Sequence, residues 1–166
     1  MKRLVCLIMV CFFLFFLGCN ATTTKDSTRF YYSRTNYAFG TESAVLTSEN
    51  RDITGHEGDL QYLLSLYLVG PLNEELCSPF PASTKILSVE EKNTAVIIEI
   101  SDCSKTLTES QFSLACACLT MTTFHLSGCE QVTIVSGDRS ITLDQSAFLL
   151  YDSPISQETI NTEDLS

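Results

Sequence analysis

Two histidines and eight cysteines supply all the imidazoles and thiols of this 166-residue chain, and their spacing limits the chemistry open to them. Cys118 and His125 are the types needed for a nucleophile pair, in which an imidazole takes the thiol proton. Seven residues on one helix, however, separate them by about 10 Å along the axis, beyond hydrogen-bond reach. His125 is better read as a helix-end histidine favoured by the helix dipole. An enzymatic reading would then have to recruit Cys77, Cys103 or Cys129. His56 has no convincing partner. Glu74-Glu75 and Glu90-Glu91 are adjacent carboxylates in predicted turns, with nothing to hold them across a scissile bond, and read as solvated. Asp59, Asp102 and Asp138 are scattered. The chain has no G-x-S-x-G, H-E-x-x-H, phosphate-cradling glycine loop or EF-hand spacing, and no C-x-x-C to support a zinc or redox site. It is therefore expected to be non-enzymatic, with no catalytic, cofactor-binding or metal-ligating residue.

One cysteine does have neighbours that assign it a reaction. Met1-Lys2-Arg3 precedes fourteen apolar residues, Leu4 to Leu17, which run into Gly18-Cys19. A basic start, an apolar stretch that enters the bilayer and a small residue at the scissile bond make an export signal. Phe16-Leu17-Gly18-Cys19 resembles a lipobox. That resemblance implies a thioether-linked diacylglycerol on Cys19, with residues 1–18 removed and residues 19–28 forming a lipidated tether. Two acyl chains suffice for stable anchoring where one does not. An uncleaved transmembrane anchor is the bland alternative, but ~14 helical residues span roughly 21 Å, short of a hydrocarbon core of about 30 Å. The expected address is the extracytoplasmic side of the cell membrane.

Removal of the signal leaves Cys77, Cys103, Cys116, Cys118 and Cys129 once Cys19 is lipidated. Five is odd, so at least one thiol stays free. Cys116 and Cys118 stand two apart on a predicted helix, pointing to different faces, and cannot bond each other. Buried cysteine acting as a small hydrophobe is the expected role. The formal charge is −10 and becomes −12 without Lys2 and Arg3, which makes nucleic acid and bare anionic lipid poor partners. The basic-aromatic stretch Arg29-Phe30-Tyr31-Tyr32-Ser33-Arg34 has the makings of a base-stacking surface, but reads more simply as a strand with aromatic core residues.

The elements that must carry these groups follow from pattern. Asn20 to Thr28 is polar and reads as the tether. Phe30-Tyr31-Tyr32-Ser33 and Ala44-Val45-Leu46-Thr47 predict an opening strand or loose hairpin. Thr54-Gly55-His56-Glu57 has capping-box spacing, and Leu60, Leu63, Leu64 and Tyr67 recur at helical steps until Gly70-Pro71. A loop is expected over Leu72 to Ser83. Lys85 to Val89 and Ala95 to Ile100, separated by Glu90 to Thr94, predict a β-hairpin with Val96, Ile98 and Ile100 in the core. Thr108 to Phe124 returns to helical periodicity, opened by Thr108 and Gln111 and stopped near Gly128. Gln131 to Val135, a turn at Ser136-Gly137-Asp138, and Ser140 to Leu143 predict a last hairpin. The order β-α-β-β-α-β-β gives an α+β single domain over residues 29–152, two helices packed on one face of a mixed sheet. Residues 153–166 are polar and acidic and read as a disordered tail.

An ordered set of segments resembles the GerMN domain of sporulation and spore-germination proteins. It comprises Phe30-Tyr31, Ser48-Glu49-Asn50-Arg51-Asp52-Ile53, Leu63-Leu64 to Val69-Gly70-Pro71, Leu76, Pro81, Thr84 to Val89, Val96 to Ser101, Leu114 to Phe124 and Val132 to Gly137. The resemblance implies a non-enzymatic envelope lipoprotein that recognises partners by its surface. Those partners would be envelope or sporulation proteins, or further copies paired through a sheet edge. A second expectation is a general envelope accessory lipoprotein that supports a cell-wall hydrolase or a sensor kinase. The resemblance places no binding residue, so Cys19 is the one assigned site.

Overall fold

The computed structural model describes residues 26–34, 46–103, 105–146 and 148. The predicted signal, Cys19, residues 20–25 of the tether and the tail at 153–166 lie outside the described residues.

Successive side chains of Ser27–Arg34 (β1) point to opposite faces, and Phe30 and Tyr32 share the face that is fully buried. This strand pairs antiparallel with Leu46–Asp52 (β2), with Phe30 opposite Glu49 and Thr28 opposite Arg51. Its far end also pairs with Leu76–Cys77 (β3), a two-residue strand inside the segment expected to be loop. The first helix, Leu60–Val69 (α1), ends where expected, but it does not begin at the Thr54 capping box. Asp59 is its N-cap, accepting the Tyr62 N–H at 3.0 Å. Gly55 and Gly58, both at positive φ, break the chain between Thr54 and the helix. Glu57 accordingly folds back onto the Gly55 N–H, and the Thr54 hydroxyl donates to Asp52.

Ile86–Lys92 (β4) and Ala95–Ile100 (β5) form the predicted antiparallel hairpin, with a bulge between Ile86 and Ser88. Its link is shorter than expected. Glu90, Glu91 and Lys92 stay in the strand, leaving Asn93 and Thr94 to turn, Asn93 at φ 54°. Val96, Ile98 and Ile100 are buried as expected. The long helix, Glu109–Ser127 (α2), opens on a complete capping box between Thr108 and Gln111, and Gly128 closes it in the left-handed region at φ 66°. A residue with a Cβ is strained there, which is why glycine marks the stop. Gln131–Ser136 (β6) runs parallel to β5, and Arg139–Asp144 (β7) returns antiparallel to it. Parallel neighbours need a crossover of a dozen or more residues, and α2 supplies it.

The α+β class and the order of the main elements are those expected, but the strands form two sheets instead of one. One has the order β2-β1-β3 and the other β4-β5-β6-β7. Helix α2 lies between them, against β1 on one side and β6 and β7 on the other. Its buried residues, Phe112 to Phe124, sweep roughly 240° of circumference at about 100° per residue. So broad a face needs two surfaces to cover it. The β1 edge turned toward α2 meets a hydroxyl instead of a strand: Thr122 Oγ1 accepts the Tyr31 backbone N–H at 2.9 Å. A helix in this position blocks further pairing along that stretch, which separates the two sheets.

Candidate functional site

Cys118 and His125 are not brought together. Cys118 is fully buried, and burial, reinforced by the neighbouring Cys77 and Cys116, pushes its thiol up to about 12. His125 stands exposed in the last turn of α2, where its ring stacks on Tyr31 with centroids 5.2 Å apart. The Tyr31 hydroxyl lies 2.9 Å from His125 Nε2. The imidazole therefore fastens the helix end to β1. His56, at the other end of the domain sequence, stacks on Tyr62 at 3.8 Å.

All five described cysteines are free. Cys103, Cys116, Cys118 and Cys129 are buried and Cys77 is half-buried. Burial, together with Cys103 nearby, lifts Cys116 to about 12, and burial also raises Cys129. Thiolates are disfavoured at all three, the opposite of what a nucleophile needs. Cys103 is tied to the end of β6, its N–H donating to Ser136 Oγ at 3.1 Å while that hydroxyl donates to the Ser101 carbonyl. Cys77 Sγ lies 3.1 Å from Ser33 Oγ. Among the described residues no group of three or more His, Cys, Asp and Glu is placed to hold a metal ion. Glu90 pairs with Lys92 at the surface, and Glu74 and Glu75 are exposed. Of the basic-aromatic stretch, Phe30 and Tyr32 face inward onto Tyr67, at 6.1 and 4.8 Å, as core residues. Cys19 lies outside the described residues.

What the structure does assemble is a clamp on the loop after α1. Glu49 and Arg51 stand two apart on β2, so they share a face, and their side chains are 10% and 8% exposed. Arg51 Nε donates to Glu49 Oε1 and its Nη2 donates to the Gly70 carbonyl. Its guanidinium also lies 5.6 Å from the centre of the Phe30 ring. Glu49 in turn accepts the N–H groups of Leu72 and Asn73, both at 3.0 Å. Burial alone would raise the Glu49 carboxyl; the hydrogen bonds from Arg51, Leu72 and Asn73 outweigh it and hold the group below its ordinary value. Gly70 sits at φ 107°, a conformation that a side chain strains, and the clamp locks it. The end of α1 and the loop thus held present Val69 and Leu72 to solvent, 81% and 77% exposed.

The sequence contains the signal for this arrangement. Two opposite charges at i and i+2 in a strand must lie on one face, and a Gly-Pro helix stop leaves carbonyls and N–H groups seeking partners.

Sheet edges are unequal. The β4 edge is bulged and carries Glu90, Glu91 and Lys92, devices that discourage pairing. β7 ends its sheet with the uncharged run Ser140-Ile141-Thr142-Leu143 and no bulge.

A three-stranded and a four-stranded sheet seamed by one long helix define a GerMN-like α+β fold. The first GerMN domain of the sporulation protein GerM from Bacillus subtilis superposes with a TM-score of 0.54 at 16% identity, covering 70% of this chain and 86% of that one. The tandem GerMN domains of the same protein give 0.51 at 15% identity, over 74% of this chain and 42% of the tandem. A Clostridium perfringens protein described as a lipoprotein gives 0.45 at 16% identity, over 77% and 93%. No protein-family model and no curated protein sequence matches the chain. Among the described residues no helix is long and apolar enough to cross a membrane.

Proposed function

We propose that this chain is a lipid-anchored lipoprotein of the extracytoplasmic membrane face, whose GerMN-like domain serves sporulation or spore germination by surface contact, without a catalytic step. The observation that carries the reading is the fold shared with a sporulation protein. The Cys19 signal supports the address, and the buried, raised thiols of Cys116 and Cys118 favour a reading without chemistry at those two groups. Lipid confines the domain to two dimensions and raises the effective concentration of its partners. The β7 edge, uncharged from Ser140 to Leu143, is the candidate for pairing between copies. Acidity disfavours nucleic acid as a partner.

The test is genetic. Deletion in the producing organism is expected to lower spore yield or germination, and Cys19→Ser is expected to reproduce the defect while the domain stays folded. Normal sporulation and germination after deletion would overturn the reading. Co-purification of a wall hydrolase or sensor kinase from vegetative membranes would then favour the envelope-accessory role.

A further inference from the structure

Helix α1 is apolar at eight of its ten positions, yet the domain covers only part of it. Leu60, Leu63, Leu64 and Tyr67 are buried. Tyr62, Leu66 and Val69, at i, i+4 and i+7, form a second stripe, and Leu72 extends it past the helix end. Tyr62 is 42% exposed and Leu66 half-buried. Helices that are apolar on all sides are normally enclosed, and a contiguous exposed apolar stripe marks an interaction surface.

Two further observations specify its occupant. The first is rigidity. Glu49 and Arg51 fix the backbone from Gly70 to Asn73, so a partner would not have to order this loop on binding. The second is charge. In sequence, Asp52, Glu57 and Asp59 precede the stripe and Glu74 and Glu75 follow it, and residues 52–84 contain no lysine or arginine, His56 on the Tyr62 ring being their one imidazole. A second copy docked through the same face would bring the same carboxylates against their own kind, and anionic lipid would be repelled for the same reason. Complementarity requires positive charge around an apolar centre.

We propose that the stripe Tyr62, Leu66, Val69 and Leu72 docks a different polypeptide, one whose apolar groove is rimmed by lysine or arginine. This rests on the reading of the domain as a contact module, and it names the face and the chemistry of its partner. The experiment places photoreactive benzoylphenylalanine at position 72 of the full chain in its producing cells, with a control at exposed position 113 on α2. Irradiation is expected to join position 72, and not 113, to another polypeptide at a site flanked by basic residues. Glu74→Lys with Glu75→Lys should reduce that adduct at least tenfold, with circular dichroism unchanged. Adducts to a second copy, adducts to lipid alone, no polypeptide adduct at 72, or an adduct indifferent to charge reversal would each overturn the proposal. A sporulation defect on deletion without an adduct at 72 would sink this face and leave the functional reading standing. An adduct of the expected kind with normal sporulation and germination would do the reverse.

Discussion

The Tyr31 backbone N–H on β1 is satisfied by the hydroxyl of Thr122 on α2, 91 residues away in sequence, at 2.9 Å. The same hydroxyl donates to the Cys118 carbonyl within the helix at 3.0 Å, so one side chain serves both elements. Thr122 is fully buried, and a valine there would keep the shape but leave the strand N–H without its acceptor. An unsatisfied buried donor costs about 1–3 kcal/mol. Thr122→Val is expected to destabilise the domain by that amount in urea unfolding, and Thr122→Ser to recover most of it. Equal loss in both variants would show that the methyl group, not the hydroxyl, holds the helix to the strand.

The Glu49–Arg51 clamp predicts both a mutational and a pH effect. Glu49→Ala leaves Arg51 buried without its carboxylate and frees the Leu72 and Asn73 N–H groups, an expected loss of about 3 kcal/mol. The folded-state carboxyl lies below its ordinary value of 4.5. Its contribution is therefore fully present above that value and lost as pH falls through the lower folded value. Wild-type stability should decline on acidification more than that of Glu49→Ala. Parallel acid curves would remove the clamp from the account.

What local sequence can specify was legible in this chain. Helix α2 has its start and stop written in Thr108, Gln111 and Gly128, and nineteen residues of periodicity lie between them. The α1 start is expected at the Thr54 and Glu57 box, but Gly55 and Gly58 take positive φ after Thr54 and Asp59 caps the helix instead. β3 is too short to have a period. The division into two sheets depends on long-range partners, chiefly the contact of Tyr31 with Thr122. The i, i+2 spacing of Glu49 and Arg51 carries their shared face, but in sequence they stand out only within the GerMN-like segment, because their role depends on a loop about twenty residues further along.

The Tyr67 hydroxyl is buried and finds no hydrogen-bond partner among the described residues. Its ring is nonetheless central, stacked on Tyr32 and tilted against Phe30, and burial raises its ionisation well above the ordinary range. Tyr67→Phe keeps the ring contacts and removes an unsatisfied group. A gain of about 1 kcal/mol is expected, seen as a higher urea midpoint with unchanged slope. Thr120→Val, at the other buried hydroxyl without a partner, should behave alike. A clear loss for Tyr67→Phe would mean that the hydroxyl is satisfied in solution.

The buried thiols give a chemical reading of the same core. Cys116 and Cys118 are lifted to about 12 chiefly by burial, with neighbouring thiols adding to the effect. At pH 8 a thiol with that value is ionised on the order of one part in ten thousand, and the thiolate is the reactive form. Iodoacetamide at pH 8 is therefore expected to spare both in the native protein and to label both in urea, with half-buried Cys77 modified first. The same shift has an alkaline consequence. A protonated thiol in the fold stabilises it fully below the ordinary value of 9, and that contribution is lost as pH rises toward about 12. Replacing Cys116 by Ala should flatten the decline in stability above pH 9, although the variant starts from a lower baseline because a buried side chain has been shortened. Rapid native labelling of Cys118 would contradict the buried, neutral state and return a thiol mechanism to consideration.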